Sequence, residues 1–228
     1  KHLSVLPVDA THTRHNFNFK DYKYNIERER KLVMRAIFEQ GSLHRYSQVS
    51  LNESRSPIWG HFWHGIRKTT VFISHKHDDL DDLKGLLGFL EKQYDVKVYI
   101  DSRDPSMPQK TSALTAFNIR ERIKDCDKFI FLATNGAIES KWCNWELGYG
   151  DAHKFKNHIA LFQMKPPNTS DSAYKGSEYM SIYPYITYYD GTEIYENGSR
   201  IPCGYYVQYQ EVNGKNFLMP LAEWFEDR

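Results

Sequence analysis

One tryptophan and one glutamate stand four residues apart, in a run where a helix would present both to the same ligand. Trp142 and Glu146 lie in the segment SKWCNWELG, which follows a strongly apolar run. Residues four apart project from one face of a helix. An aromatic plane beside one carboxylate suits a substrate that is flat, cationic and joined to a sugar. The ordinary alternative is a packed ring beside a solvated or salt-bridged acid, and it stays open at this stage.

Other residue types that carry chemistry are placed less favourably. His75 and His77 follow an apolar run, but a metal ion would need further ligands, and Leu80 stands where a dinuclear hydrolase would want a histidine. We therefore expect no metal and interpret both histidines as loop residues that face solvent. Cys143 lies between two tryptophans, and apolar surroundings make a thiol inert. The sequence has neither a G-x-S-x-G elbow nor a glycine-rich phosphate loop.

The elements that must position these residues follow from the pattern after residue 68. Short apolar runs alternate with amphipathic stretches, which predicts stacked βαβ units. Runs that are apolar throughout are typical of a parallel sheet covered by helices on both faces. The sequence therefore predicts a doubly wound, flavodoxin-like α/β fold of about five strands. The predicted strands are 69–74, 96–100, 128–133, 158–162 and 186–189, and the predicted helices are 79–94, 112–124 and 141–153.

In such folds, ligands bind at the carboxyl ends of the parallel strands. Glu146 belongs to the helix that follows the third strand and is expected near this edge. Asp101 and Arg103 follow the second strand and could line the opposite wall of a site. The loops expected at this edge follow Ser74, Ile100, Ala133 and Phe162.

Four sequence blocks resemble Toll/interleukin-1 receptor (TIR) domains of the bacterial, NAD-cleaving type: VFISHKHDD, VYIDSRDP, IRERIKDCDKFIFLAT and ESKWCNWELG. The last block is similar to the S-x-W-C-x-x-E-L pattern of the third helix in that family. We therefore predict a TIR-like domain over 69–190. Residues 1–68, before this domain, are predicted to form a basic extension with one amphipathic helix over 24–40. Residues 191–228, after it, are predicted to form a β-rich extension packed on the same domain.

The resemblance implies an activity, because bacterial and plant TIR proteins, and one animal neuronal member, cleave NAD+. The expectation is an NAD+ nucleosidase, hydrolase or ADP-ribosyl cyclase, with NAD+ as substrate and no further cofactor. The acid of these enzymes corresponds to Glu146, and Ser74 and His75 correspond to the loop that lines the nucleotide pocket. Residues 101–110 correspond to the mobile loop that governs self-association and site access. Trp142 is expected to support the pocket or to stack on a ring.

The same resemblance implies partners beyond the substrate. We expect self-association through TIR surfaces, and a product that acts as a nucleotide signal in antiviral (anti-phage) defence through a downstream effector. Two other classes of function remain open. One is a non-enzymatic TIR adaptor that acts by homotypic association, with Trp142 and Cys143 in the core and Glu146 on the surface. The other is an N-glycosyl enzyme similar to nucleoside deoxyribosyltransferases, which also place a catalytic carboxylate on a doubly wound sheet.

Composition and charge limit which classes of protein and of binding partner the sequence can represent. The 228 residues are 40% hydrophobic and 15% aromatic, which is typical of a globular protein and not of a disordered chain. Residues 1–68 carry 12 Lys and Arg against 6 Asp and Glu, an excess that suits docking on the acidic remainder better than nucleic acid. Three cysteines without paired spacing indicate a reducing compartment. Without an apolar leader or a long apolar run, we expect a cytoplasmic protein with no membrane segment.

Overall fold

The computed structural model describes residues 25–26, 37–48, 67–100, 112–154, 156–176, 178–195, 197–210 and 216–227. The strands in these residues are β1 (Asn25–Ile26), β2 (Phe38–Glu39), β3 (Thr70–Ser74), β4 (Lys97–Tyr99), β5 (Lys128–Ala133), β6 (Ile159–Lys165), β7 (Tyr185–Tyr189), β8 (Gly204–Gln210) and β9 (Asn216–Pro220). The α-helices are α1 (Leu80–Tyr94), α2 (Ala113–Asp125), α3 (Asn135–Glu139), α4 (Lys141–His153) and α5 (Leu221–Glu226).

Five parallel strands form one side of the sheet, in the spatial order β4-β3-β5-β6-β7, with β4 at the edge. Numbered from β3 along the chain, this is the order 2-1-3-4-5 of flavodoxin-like folds, so the predicted fold class is confirmed. The strand order reverses between β3 and β5, and the crevice above this pair is the switch point of the sheet. The whole sheet is wider than predicted, because β8, β9 and β1 continue it beyond β7 as antiparallel strands.

Helices cover both faces of the parallel strands. On one face, α1 buries Leu83 and Leu87 against a cluster that includes Ile73 of β3. On the other face, α2 and α4 contribute Ile119 and Leu147 to a second cluster around the β5 strand. Successive strand residues point to opposite faces, which is why every side chain of β5 is buried.

The predicted amphipathic helix over 24–40 was wrong at both of its described ends. Asn25–Ile26 pairs antiparallel with β9, and Phe38–Glu39 pairs parallel with the end of β6. The Phe38 ring stacks on Phe162 of β6, with the ring centroids 4.5 Å apart. The described residues at these ends therefore pair with strands far along the chain. Residues 27–36 lie outside the described residues.

The last helix closes the amino-terminal edge of the parallel strands. Trp224 of α5 is fully buried, and its Nε1 donates a hydrogen bond to the backbone oxygen of Asn157, just before β6. Thr69, just before β3, donates its hydroxyl to the backbone oxygen of Phe225 at 2.6 Å. This end of the chain is thus joined to the edge opposite the switch-point crevice. Within the described parts of the chain, no helix combines the length and hydrophobicity that crossing a bilayer requires.

Candidate active site

Ser74 and Glu146 meet at the switch point. Ser74 is the last residue of β3, and its Oγ donates a hydrogen bond to Oε2 of Glu146 at 2.5 Å. Glu146 lies on the inward face of α4, beside Leu147, and is only 3% exposed. A carboxylate so buried requires hydrogen-bond donors to replace water. The predicted edge of the sheet therefore holds an oriented acid that neither faces bulk solvent nor belongs to the apolar core.

The Ser140 side chain sets where the helix carrying this acid begins. Its Oγ accepts a hydrogen bond from the backbone N–H of Cys143 at 3.3 Å, and it caps α4. The same residue is the only one between α3 and α4. The path from the end of β5 to Glu146 is therefore short, with Thr134, α3 and Ser140 between the strand and α4.

The two histidines after β3 differ in their surroundings. His77 is exposed, as expected for a loop residue. His75 is 9% exposed, and its Nδ1 lies 3.3 Å from the backbone oxygen of Ile73, so the expectation that it faces solvent was wrong. The backbone at the end of β3 holds this ring close to Ser74. His75 is thus available as a wall of the site, and its contact with substrate stays a prediction.

A second acid lies at the same edge and was missed by the sequence reasoning. Asp79 accepts a hydrogen bond from Oγ1 of Thr134 at 2.5 Å, and Thr134 is the first residue after β5. Partial burial raises the pKa of Asp79, and the hydrogen bond from Thr134 offsets part of that rise. The position of Thr134 directly after the third predicted strand was the signal that could have found this pair.

Trp142 belongs to a row of rings along α4. Its ring centroid lies 4.9 Å from that of Trp145, and Trp145 in turn stacks near Tyr149 at 6.0 Å. The guanidinium of Arg120 on α2 lies 5.4 Å from the centre of the Trp145 ring. Trp142 is half-buried in this row, so the structure gives it a supporting contact. Its predicted stacking on a substrate ring is not tested by this arrangement.

Asp101 and Arg103 lie outside the described residues, so the opposite wall of the site stays a prediction. Among the residues that the structure describes, no three His, Cys, Asp or Glu side chains stand close enough to hold a metal ion. Of the sequence-predicted site residues, the structure joins Ser74 and Glu146 by a direct hydrogen bond. The chemical roles assigned to them stay predictions.

Fold and site together define a flavodoxin-like α/β domain with a buried acid at its switch point. A family model described as TIR domain matches residues 71–189, just over half of the chain. The chain therefore belongs to the TIR domain family, as the sequence blocks predicted.

Two known proteins show how far this likeness extends. A protein of Bacillus cereus (strain MSX-D12), named as a probable 3' cyclic ADP-D-ribose synthase ThsB', is 34% identical over 118 residues. The match covers 51% of this chain and 59% of that relative, so the chain spans little more than half of the relative's length. The crystal structure of a prokaryotic SEFIR domain is 15% identical, with a TM-score of 0.34 over 50% of this chain and 82% of that chain.

Proposed function

We propose that this protein cleaves the bond between nicotinamide and ribose in NAD+, as a nucleosidase that acts as a hydrolase or an ADP-ribosyl cyclase. The observation that carries the proposal is the buried Glu146, hydrogen-bonded to Ser74 at the switch point. Two comparisons support it: the chain is a TIR domain, and a relative is named as a probable synthase of a cyclic ADP-ribose.

One carboxylate is enough for this reaction. The nicotinamide of NAD+ is a positively charged pyridinium, so it leaves as a neutral molecule and needs no general acid. As the bond breaks, positive charge develops on the ribose, as in the oxocarbenium-like transition states of glycoside hydrolysis. Glu146 would stabilise that charge, and its interaction would be stronger in the transition state than in the bound substrate.

Ser74 has the role of holding the acid in place. Its hydroxyl donates to one carboxylate oxygen at a distance typical of a short, charge-assisted hydrogen bond. A fixed carboxylate does not have to reorganise when charge appears beside it, which is the basis of electrostatic preorganisation. We assign substrate contacts to His75, Trp142, Asp101 and Arg103, the other residues predicted for this site.

The second half of the reaction decides the product. If water attacks the sugar cation, the products are ADP-ribose, nicotinamide and one proton. If a group within the same ADP-ribosyl cation attacks instead, the products are a cyclic ADP-ribose, which is one water lighter than ADP-ribose, together with nicotinamide and one proton. A cyclic product matches the chemistry named for the relative. A cyclic product would act as a nucleotide signal for a downstream effector, and antiviral defence is the setting that we propose for it.

Product analysis after incubation with NAD+ tests the proposal directly. We expect nicotinamide in stoichiometric amounts, together with ADP-ribose or a cyclic ADP-ribose, which liquid chromatography and mass spectrometry distinguish because the cyclic product lacks one water. Because TIR proteins can require assembly, the reaction is run over a range of protein concentrations and with a crowding agent. Absence of nicotinamide under every condition would contradict the proposal and favour an adaptor. Cleavage of deoxyribonucleosides, offered in parallel, with NAD+ left intact would favour a transferase.

Self-association is part of the same proposal, and α2 offers a surface for it. Leu114 and Phe117 are 57% and 56% exposed on this helix. The helix follows directly after residues 101–110, which the sequence analysis predicted as the loop that governs association. Phe117→Glu is expected to lower the oligomer fraction in sedimentation experiments and to lower turnover at high protein concentration. An oligomer unchanged by this substitution would remove α2 from the interface.

A further inference from the structure

Asp79 occupies a capping position but does not cap its own helix. It is the N-cap residue of α1, where an aspartate commonly accepts a hydrogen bond from the first turn and stabilises the helix. Among the described residues of α1, none donates to this carboxylate through such a cap. The carboxylate instead accepts the hydroxyl proton of Thr134, 55 residues along the chain. A local stabilising contact is thus replaced by one between two loops.

That contact crosses the switch-point crevice. Asp79 ends the loop after β3, Thr134 begins the loop after β5, and these two strands are direct neighbours in the sheet. A second contact lies beside it, because a Cβ added to Gly136 would come within 3.0 Å of Cδ of Lys76. The loop after β3 and the start of α3 therefore touch at two points above the strand pair.

The hydrogen bond between Thr134 and Asp79 also lies at the start of the chain segment that leads to Glu146, the candidate catalytic residue. The Thr134 hydroxyl also accepts the backbone N–H of Ala137 at 3.0 Å and so caps α3. Helix α3 continues into α4 through Ser140 alone, and α4 carries Glu146. The position of Thr134 therefore sets where α3 begins, and α3 sets where α4 and its acid stand relative to Ser74.

We propose that Asp79 and Thr134 are positioning residues for the reaction, and that their hydrogen bond holds the two loops of the crevice so that Glu146 reaches the ribose. This inference rests on the proposed function. Neither residue has to touch the substrate. Their effect is transmitted through α3 and α4, whose displacement by a fraction of an ångström would move the carboxylate away from the developing charge.

The experiment removes the hydroxyl and then restores it. Thr134→Val keeps the shape of the side chain but loses both the donor to Asp79 and the acceptor that caps α3, whereas Thr134→Ser keeps both. Thr187→Val is the matched control, because Thr187 is also a buried threonine but lies in β7, away from the crevice. We expect Thr134→Val to lower kcat about 10- to 100-fold with KM within about 2-fold of the wild type. Thr134→Ser and Thr187→Val are expected to keep kcat within about 3-fold of it.

Asp79→Ala gives an independent arm, since it removes the acceptor and leaves Thr134 intact. We expect it to lower kcat although the cap of α3 is kept, and we expect the double variant to be no worse than Thr134→Val alone. All rates are measured well below the melting temperature, so that they refer to folded protein.

Two outcomes would overturn the positioning role while leaving the proposed function in place. One is a Thr134→Val variant that melts earlier but turns over NAD+ at the wild-type kcat, which would mean a stabilising role only. The other is a Thr134→Ser variant as impaired as Thr134→Val, which would mean that the hydroxyl is not the active feature. A wild-type protein without turnover would overturn the proposed function, and the positioning role with it.

Discussion

Ser74 and Glu146 are 72 residues apart in the chain, and their side chains share a hydrogen bond of 2.5 Å. One residue ends a central strand and the other faces inward from a helix on the sheet, so the bond joins the two layers at the switch point. Both residues are almost fully buried, at 1% and 3% exposure. An acid in this environment is expensive to bury, and its orientation is fixed before any substrate arrives.

Glu146→Gln should abolish NAD+ consumption and leave the fold intact. Glutamine has the same size and can still accept the Ser74 hydroxyl, but it carries no charge to stabilise the ribose cation. We expect kcat to fall at least about 100-fold, with the melting temperature within about 4 °C of the wild type. The variant should still bind unreactive NAD+ analogues in a calorimetric titration.

The matched control for this prediction is Glu139→Gln. Glu139 lies on α3, is 63% exposed, and pairs with Lys175 on the surface, so its substitution should leave turnover unchanged. If Glu146→Gln kept most of the wild-type turnover, Glu146 would have no catalytic role.

Ser74→Ala should lower both stability and turnover. The substitution removes a hydroxyl donor from the buried carboxylate of Glu146, and a hydrogen bond to a charged group contributes about 1.5–3 kcal/mol. Urea denaturation measures the loss of unfolding free energy, and nicotinamide release measures the loss of turnover, which we expect to be about 10-fold or more. Ser42→Ala, at an exposed serine, is the control. Unchanged turnover in Ser74→Ala would show that this bond does not orient the acid.

Lys128→Met should change how stability depends on pH. Lys128 is fully buried at the start of β5, its Nζ has no hydrogen-bond partner among the described residues, and it lies 4.8 Å from the centre of the Trp224 ring. Burial lowers the pKa of Lys128 to about 8, from 10.5. Between these two pH values the unfolded chain binds a proton that the folded chain does not, so the wild type gains stability as pH rises through this window.

The variant lacks this gain, which amounts to about 3 kcal/mol for a shift of this size. We therefore expect Lys128→Met to have a larger unfolding free energy than the wild type at pH 7. This difference between the two proteins should become smaller as the pH approaches 10. Urea denaturation of both proteins at several pH values measures it, and groups common to both cancel. Lys124→Met, at an exposed lysine, should show no such trend. A difference that is independent of pH would show that Lys128 keeps its ordinary pKa.

Trp224→Ala should destabilise the whole domain. Trp224 is fully buried, packs against Lys128 and Phe225, and binds the backbone of Asn157 through its indole nitrogen. Truncating a buried tryptophan costs about 3–5 kcal/mol. A single, earlier unfolding transition in calorimetry would show that α5 unfolds together with the parallel sheet. A second, separate transition would instead show that the C-terminal residues form an independent unit.

The central fold could be predicted because its signals are local. Alternating apolar runs and helical stretches fix the strand and helix types, and the chain order of βαβ units fixes the direction of the strands. Helix α4 spans Lys141–His153, and strand β5 spans Lys128–Ala133, both as predicted. Strand β6 extends to Lys165, three residues past its predicted end, because its last residues pair with β2.

The features that the sequence did not predict depend on residues that are distant in the chain. Phe38 has an apolar neighbourhood that suits a helix, and only the Phe162 ring stacked on it shows that it belongs to a strand. The bond from Thr134 to Asp79 likewise depends on the rotamers of two side chains that the sequence places only at the same edge. For Glu146, the sequence predicted the edge of the sheet, whereas its burial and its bond to Ser74 depend on how α4 packs against β3.

The three antiparallel strands lie on one side of the molecule, beyond β7. Strand β8 is three strands away from β5, a distance of about 14 Å at the usual spacing between strands. Val207 and Met219 of these strands pack in the core shared with Ile73 of β3, but exposed positions on the same margin lie far from Ser74 and Glu146. Evolution could therefore remodel the margin for new regulators or assemblies while the chemistry stays constant.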